Sequence, residues 1–435
     1  MRHKEALSLK ERGAGTLLKS EFHAQKGSKD FNQSLTKMLI KTDIPLKKVN
    51  HSAFRQFFET EFQQKLLDES TLRKNYVSGL SNEKMEEVRE SLRQGYIWIQ
   101  IDETTDVCGR IVTNVMAGLL NESKSVYLLD VHFLEATNCT TVSRALLQTL
   151  DLLYPDRADF SKVLLLLSDS AAYMKKMASG MSALLPKAIH VTCLAHGVHR
   201  LAEKIRSSFQ NVDLLVNNGK KSLKAASRQR VFRELKPSLP LPPRPVTTRW
   251  GTWITAVKYY ADHLEDIKEV VAAIDEDAAS VTALKQILST AGLKIDIAYI
   301  TAHCASLVNC LLVLEKQDAR LLEQWSAFHS VHECTKDLPQ LKDKWPAVIS
   351  RNSGLSSLMP LMRVLYPGSP DLGISHDDSY MDSLTACEIA AFKFAPLTSV
   401  DVERSFSRYK TVLRQNREAF TKENLKAYML LHCNL

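Results

Sequence analysis

Three acidic residues stand where metal-dependent chemistry could be assembled. Asp102 ends the apolar run Tyr96-Ile-Trp-Ile-Gln-Ile101, Asp169 ends Val163-Leu-Leu-Leu-Leu-Ser168, and Glu403 opens the helix-like Glu-Arg-Ser-Phe-Ser near the C-terminus. Two carboxylates at strand ends and a third from a helix can converge on a pair of divalent cations. Metals held about 3.5–4 Å apart stabilise both the attacking and the leaving oxygen of an in-line displacement at phosphorus. Mg²⁺ or Mn²⁺ fits such a set, because hard cations favour carboxylate oxygens over thiolate or imidazole. Acids at strand ends are common in any α/β protein, so the surrounding residues carry the weight.

The elements that must position these acids follow from periodicity. Apolar positions at helical spacing over 36–75, broken by Pro45, predict a small helical module after a polar stretch at 1–35, and Ser81 to Gln94 reads as a charged helix. Short β-like runs at 96–101, 111–120 and 126–134 with brief polar turns predict an antiparallel meander. A helix at Thr141–Leu153, an apolar strand at Val163–Leu167, a helix from Ser170, a strand at Ala188–Thr192 and a helix at Leu194–Ser207 follow. The order β-β-β-α-β-α-β-α describes a mixed α/β sheet of the ribonuclease-H-like arrangement, with its late strands parallel and buried. After the extended Pro237–Pro245 link, residues 254–350 read as amphipathic helices with an acidic patch at Glu265, Asp266, Glu269, Asp275, Glu276 and Asp277. Residues 367–382 read as a loop, and 384–395 and 403–432 as two helices.

At 435 residues the chain exceeds one ordinary core, so several units are expected. They are a basic tail and helical module at 1–90, the first part of the α/β core at 91–255, an all-helical insertion at 256–383, and the returning core at 384–435. Eight cysteines without a C-x-x-C pair argue against a disulfide scaffold and point to a reducing, intracellular setting. No stretch approaches the roughly 20 apolar residues of a membrane span, so no membrane partner is expected. A net charge of +8 suits a polyanion. The stretch Lys220–Arg233 holds six basic residues and no acid; on one helix Lys220, Lys221, Lys224 and Arg228 would share a face. That face reads either as a phosphate-contacting stripe or as a solvated surface.

Four landmarks in this order resemble the hAT superfamily of DNA transposases: Ile101-Asp-Glu-Thr-Thr-Asp106, Ser168-Asp-Ser-Ala-Ala-Tyr-Met174, Thr192-Cys-Leu-Ala-His196 followed by Thr248-Arg-Trp250, and Val402-Glu-Arg-Ser-Phe-Ser407. The stretch Asn32–Val77 is similar to CGG triplet repeat-binding protein and the hAT elements related to it. The resemblance implies that Asp102, Asp169 and Glu403 form a two-metal triad for Mg²⁺ or Mn²⁺, with Glu403 returned by the chain after the helical insertion. It implies DNA as partner, the nucleus as location, and a homodimer or larger assembly through residues 384–435. There Phe392, Phe394, Phe406, Val412, Leu413, Leu425, Tyr428 and Leu431 would supply apolar surface. Trp250 would stack on an extruded base, with Arg249 beside it, or serve as a core aromatic. Arg404 would clamp a phosphate with its planar fork. Cys193 and His196 resemble half a zinc finger, but no second pair stands nearby and no structural zinc is expected. His196 is read as orienting DNA or its metal-bound phosphate, or as a plain helix-cap residue, and His199 as structural.

No Cys precedes position 108, so the BED zinc finger usual in this family has no ligands here. Two functions therefore stand side by side. One is a DNA strand-transferase with an intact triad. The other is a recruited, non-catalytic nuclear protein that binds DNA and dimerises. An unrelated ribonuclease-H-like nuclease would act on RNA–DNA hybrids and have no need of Trp250.

Overall fold

The computed structural model describes residues 30–123, 125–155, 160–245, 251–276, 278–317, 319–413 and 420–435. Helix α1 covers residues 30–41, α2 Ser52–Phe62, α3 Glu69–Leu72 and, after a π turn at Arg73–Val77, α4 Ser78–Leu92. Asp68 starts α3 by accepting a hydrogen bond from the Thr71 amide at 3.0 Å, the usual use of a short acidic side chain at a helix start. Residues 30–35, expected to be irregular, belong to α1, because Leu35, Leu39 and Ile40 form its buried stripe.

The protein is mixed α/β, built on a five-stranded sheet. Strands β1 (Ile97–Thr105), β2 (Ile111–Leu119), β3 (Val126–Leu134), β4 (Val163–Ser168) and β5 (Ile189–Thr192) lie in the order β3-β2-β1-β4-β5. β1 pairs antiparallel with β2 and parallel with β4, β2 antiparallel with β3, and β4 parallel with β5. The meander and the buried parallel strands are those the residue pattern predicts. β4 is wholly apolar up to Ser168 because both its faces are covered.

Helices α5 (Cys139–Leu153) and α6 (Ala172–Met181) cover one face, packing Val142, Leu146, Met174 and Met177 on Ile97, Ile99 and Ile101. On the other face lie α7 (Leu194–Ser208), then α8 (Gln210–Ser222), α9 (Ala226–Leu235), α10 (Thr252–Ala272), α11 (Ala279–Leu288), α12 (Leu293–His303), α13 (Ala305–Leu314), α14 (Leu321–Lys336), α15 (Lys344–Ile349), α16 (Gly354–Leu365), α17 (Ser379–Asp382) and α18 (Ala386–Ala391). One apolar cluster runs from Trp98, Leu165 and Leu167 through Val198 and Leu201 to Trp325 and Phe328, so this helical block shares its core with the sheet. Among the described residues no single helix is long and apolar enough to cross a membrane; the apolar pair α12–α13 is bent by 45° and buries Ile297, Ile300, Leu307 and Leu311 in the core.

The chain then returns to the sheet as α19 (Val400–Val412) and α20 (Lys422–Asn434). The single helix expected over 403–432 is thus two helices. Val412 closes the first, and Thr421 caps the second by accepting from the Asn424 amide at 3.3 Å.

This C-terminal return revises the reading of its apolar residues. Phe406, Val412, Leu413, Leu425, Tyr428 and Leu431 are buried against β2, β3 and the N-terminal helices, in one cluster with Leu39, Ile40, Leu72, Val112 and Leu128. Phe392 is fully buried in the core under the helical block, with Phe394 half-buried nearby. These side chains complete the molecule's own core and do not form an exposed patch for a second copy. Their burial removes water from apolar area at roughly 25 cal/mol per Å².

The basic stretch is also not one helix. α8 ends at Ser222 and α9 starts at Ala226, so Lys220 and Lys221 belong to a different helix from Arg228, with Lys224 exposed in the turn. Arg228 donates to the Ser222 carbonyl at 2.6 Å and pairs with Glu276 at 2.8 Å, and Lys236 bridges Asp266 at 2.8 Å and Glu269 at 2.5 Å. The acidic patch of α10 and its following loop therefore neutralises part of this basic segment, which leaves Lys221, Lys224, Arg230 and Arg233 as its exposed charges.

Candidate metal centre

Strand β1 sets the site through its alternation. Trp98, Gln100 and Asp102 face the α7–α19 side, while Ile97, Ile99, Ile101 and Glu103 face α5 and α6. The parallel register pairs Ile99 with Leu166 and Gln100 with Leu167. Carried two residues further, the same register brings Asp102 and Asp169 side by side at the C-terminal ends of neighbouring strands.

Two buried amides then hold α19 in place. Gln100 donates to the Thr398 carbonyl at 2.8 Å and accepts from the Val402 amide at 3.3 Å. Asn114, opposite Asp102 on β2, donates to Ser405 Oγ at 2.7 Å. From the α7 side, the Leu194 amide donates to the Leu397 carbonyl at 2.9 Å and the Ser399 amide to Cys193 Sγ at 3.2 Å. The start of α19 is thereby fixed between β1 and α7, and Glu403 faces inward from its first turn.

Asp102, His196 and Glu403 each place one ligand atom within 4.8 Å of the others, with His196 Nε2 at 3.6 Å from Glu403 Oε1. Such a group could hold a metal ion. Burial pushes the Asp102 carboxyl well above the ordinary carboxylate range; nearby Glu103, Asp169 and Glu403 add to the rise, against the opposing pull of His196. Burial likewise raises Glu403, with Glu315 adding to it and His196 and Arg404 opposing. Glu403 Oε1 is buried and accepts no hydrogen bond. Burial works against charge on His196, but Cys193, Asp102 and Glu403 outweigh it and push the imidazole up to about 10. The Cys193 thiol is lowered, as contact with His196 and the Ser399 amide overcomes its burial. In this arrangement the imidazolium supplies the positive charge that two desolvated carboxylates demand. A divalent cation between them would take over that role, and the chemistry of the donor set fits one.

Asp169 lies beside this group without joining it: its Oδ1 accepts from the Ala171 amide at 2.9 Å, which turns the chain from β4 into α6. Glu103, on the opposite sheet face, is pushed up to about 7 by burial and by Asp169; Tyr173 donates to its Oε1, while Oε2 is buried and accepts nothing.

The other site residues named from sequence separate. Arg404 pairs with Asp401 at 2.7 Å and donates to the Glu315 carbonyl, so its fork ties α19 to the end of α13 and is not turned to the metal group. Arg249 and Trp250 lie outside the described residues. Lys220, Lys221, Lys224 and Arg228, on α8, the turn and α9, take no part in the cluster. His199 is driven down to about 4 by burial and by neighbouring His196, Arg200 and Arg206.

Sequence reasoning passed over Gln100, Asn114 and Cys193 as positioning groups. A signal existed for the first, a lone amide inside the run Ile97-Trp-Ile-Gln-Ile101. Asn114 and Cys193 depend on partners far away in sequence, which no local pattern announces. No protein-family model matches the chain, and no curated protein matches it.

Proposed function

We propose that the chain is a hAT-type transposase, or a nuclear DNA-binding protein derived from one, with a ribonuclease-H-like core that cuts and transfers DNA strands. The convergence of Glu403 with Asp102 and His196, across a helical block that separates them in sequence, carries this reading. Strand order, strand directions and the placement of Asp102 and Asp169 on adjacent strand ends support it.

In this reading Asp102 and Glu403 would hold Mg²⁺ or Mn²⁺, with Asp169 at the adjacent strand end as the third carboxylate. The cations would supply Lewis-acid stabilisation of the attacking and leaving oxygens at phosphorus. Gln100, Asn114 and Cys193 hold the carboxylates and His196 in register, because a displacement of about 1 Å can cost two orders of magnitude in rate. His196 gives up its proton to ligate, or keeps it and orients Glu403.

The test is Mn²⁺-dependent nicking and hairpin formation on duplex DNA taken from the gene's own flanks, comparing wild type with Glu403→Gln. Cleavage by wild type alone is expected. DNA binding without cleavage by either protein would replace the transposase reading with a recruited, non-catalytic binding protein, and cleavage confined to RNA–DNA hybrids would replace it with a nuclease.

A further inference from the structure

Behind Asp169 lies a narrow notch between the sheet and the helical block, lined by Ser170, Thr192, Arg200, Phe328, Val348 and Asn352. Its free space is about 10 Å³, room for a single oxygen atom or water and no larger group. The polar groups around it are unequally satisfied. Asn352 is fully used: it accepts from the Thr192 amide at 3.0 Å and donates to the Thr192 carbonyl at 2.8 Å, which pins the 350–354 turn to the end of β5. Gly354 permits that close approach, since a Cβ there would lie 2.2 Å from the His190 carbonyl oxygen. Ser170 Oγ, by contrast, is buried with no hydrogen-bond partner.

Arg200 has no ion pair or hydrogen bond among the described residues, nor has Arg351 on the pinned turn. Yet the two guanidinium groups lie within electrostatic reach of one another, and burial followed by Arg351 pulls Arg200 downward. A half-buried Arg near a second Arg, with no hydrogen-bond acceptor among the described residues, costs stability. Such a cost is tolerated where a ligand removes it. Asp169 is also within reach of Arg200, so whatever anion binds there lies next to the metal group. Arg200 follows His196 by one helical turn of α7, about 6 Å along the axis.

We propose that Arg200, Arg351 and Ser170 form a phosphate-binding subsite, which seats one non-bridging oxygen in the notch and holds a DNA backbone phosphate flanking the one to be cut. The inference rests on the functional reading above. It also explains how a cluster rich in carboxylates accepts a polyanion, since paired guanidinium groups balance it on one side. Arginine suits the task because its planar fork matches phosphate oxygens.

The experiment measures binding of a fluorescein-labelled DNA duplex by anisotropy in EDTA, across a salt series, so that neither metal nor cleavage enters. Arg200→Gln and Ser170→Ala are compared with wild type and with Arg230→Gln, an exposed arginine on α9. Arg200→Gln is expected to weaken binding about 5–10-fold and to lower the salt slope by roughly 0.9, the loss of one phosphate contact. Ser170→Ala is expected to weaken it about threefold with the slope kept, and Arg230→Gln to change little. The melting temperature of Arg200→Gln should equal or exceed that of wild type, which separates a ligand-binding residue from a structural one.

Equal losses for Arg200→Gln and Arg230→Gln would overturn the subsite and leave the transposase reading standing if Glu403→Gln still abolishes cleavage. If wild type binds no DNA, that reading falls. A rise in melting temperature with inorganic phosphate, absent in Arg200→Gln, would then keep the anion site with free phosphate as its ligand, and no such rise would overturn it.

Discussion

Two polar clusters join the same hairpin to the same helix, and they differ in whether their carboxylates are satisfied. Asp106, four residues beyond Asp102, accepts from the Cys108 amide at 2.8 Å, the Arg110 amide at 2.9 Å, Arg110 Nε at 2.7 Å and the Tyr409 hydroxyl at 3.0 Å. Burial would raise its carboxyl, but these donors outweigh burial and hold it below the ordinary value. At the other cluster burial wins, and both Asp102 and Glu403 are raised. The first is a closed joint that fastens α19 to the β1–β2 turn. The second has only the His196 imidazolium to balance its raised carboxylates, a role a bound cation could take over.

The sharpest way to break this contrast is to remove one open carboxylate. Glu403→Gln or Asp102→Asn should reduce metal-dependent DNA cleavage by at least about 10³-fold, since each deletes one anionic ligand. The melting temperature without metal should stay level or rise. A variant that still cuts, or that unfolds, would refute the division of labour.

Gln100, two residues before Asp102 on the side away from Asp106, holds the start of α19 through Thr398 and Val402. Gln100→Ala frees the start of α19 and leaves the Val402 amide without its acceptor, so a loss of about 1–3 kcal/mol is expected by denaturant titration, with cleavage reduced as Glu403 shifts. Stability loss with normal cleavage would show that Glu403 needs no such clamp. At the closed joint, Asp106→Asn should cost about 1–3 kcal/mol through the weakened Arg110 and Tyr409 contacts, with little loss of cleavage relative to Glu403→Gln.

The smallest effects concern pH, and the two clusters should respond in opposite senses. Asp106 is lowered from 3.8, so its contribution is present above that value and lost as pH falls through its folded pKa. Glu403 is raised from 4.5, so in metal-free protein stability falls as pH climbs from there through the raised value. Thermal melts in EDTA between about pH 4 and 7 should therefore fall less steeply with rising pH for Glu403→Gln than for wild type. Parallel curves would show that Glu403 is solvated in the free protein. Saturating Mn²⁺ should flatten the wild-type curve as well, because a bound cation stabilises the charged carboxylates.

Much of this arrangement is legible in the chain itself. Alternation along β1 and the apolar β4 run specify strands, and the acids that end them specify where a cation could bind, because strand geometry places successive side chains on opposite faces. The C-terminal aromatics are legible as apolar but not as internal, since the same Phe406 and Leu425 would suit a subunit interface if the N-terminal helices did not cover them. The basic stretch misled for a related reason: its composition is local, while the acids that neutralise Arg228 and Lys236 come from α10 and the loop after it.

Sequence alone therefore determined the elements and the ionisable residues that cap them, through periodicities that operate over a few residues. Tertiary structure decided which of those residues meet. Only the β1–β4 register and the docking of α19 put Glu403 beside Asp102 and His196, and only burial made their charges unequal to those of Asp106. Desolvation depends on everything packed around a group, and no local pattern encodes that.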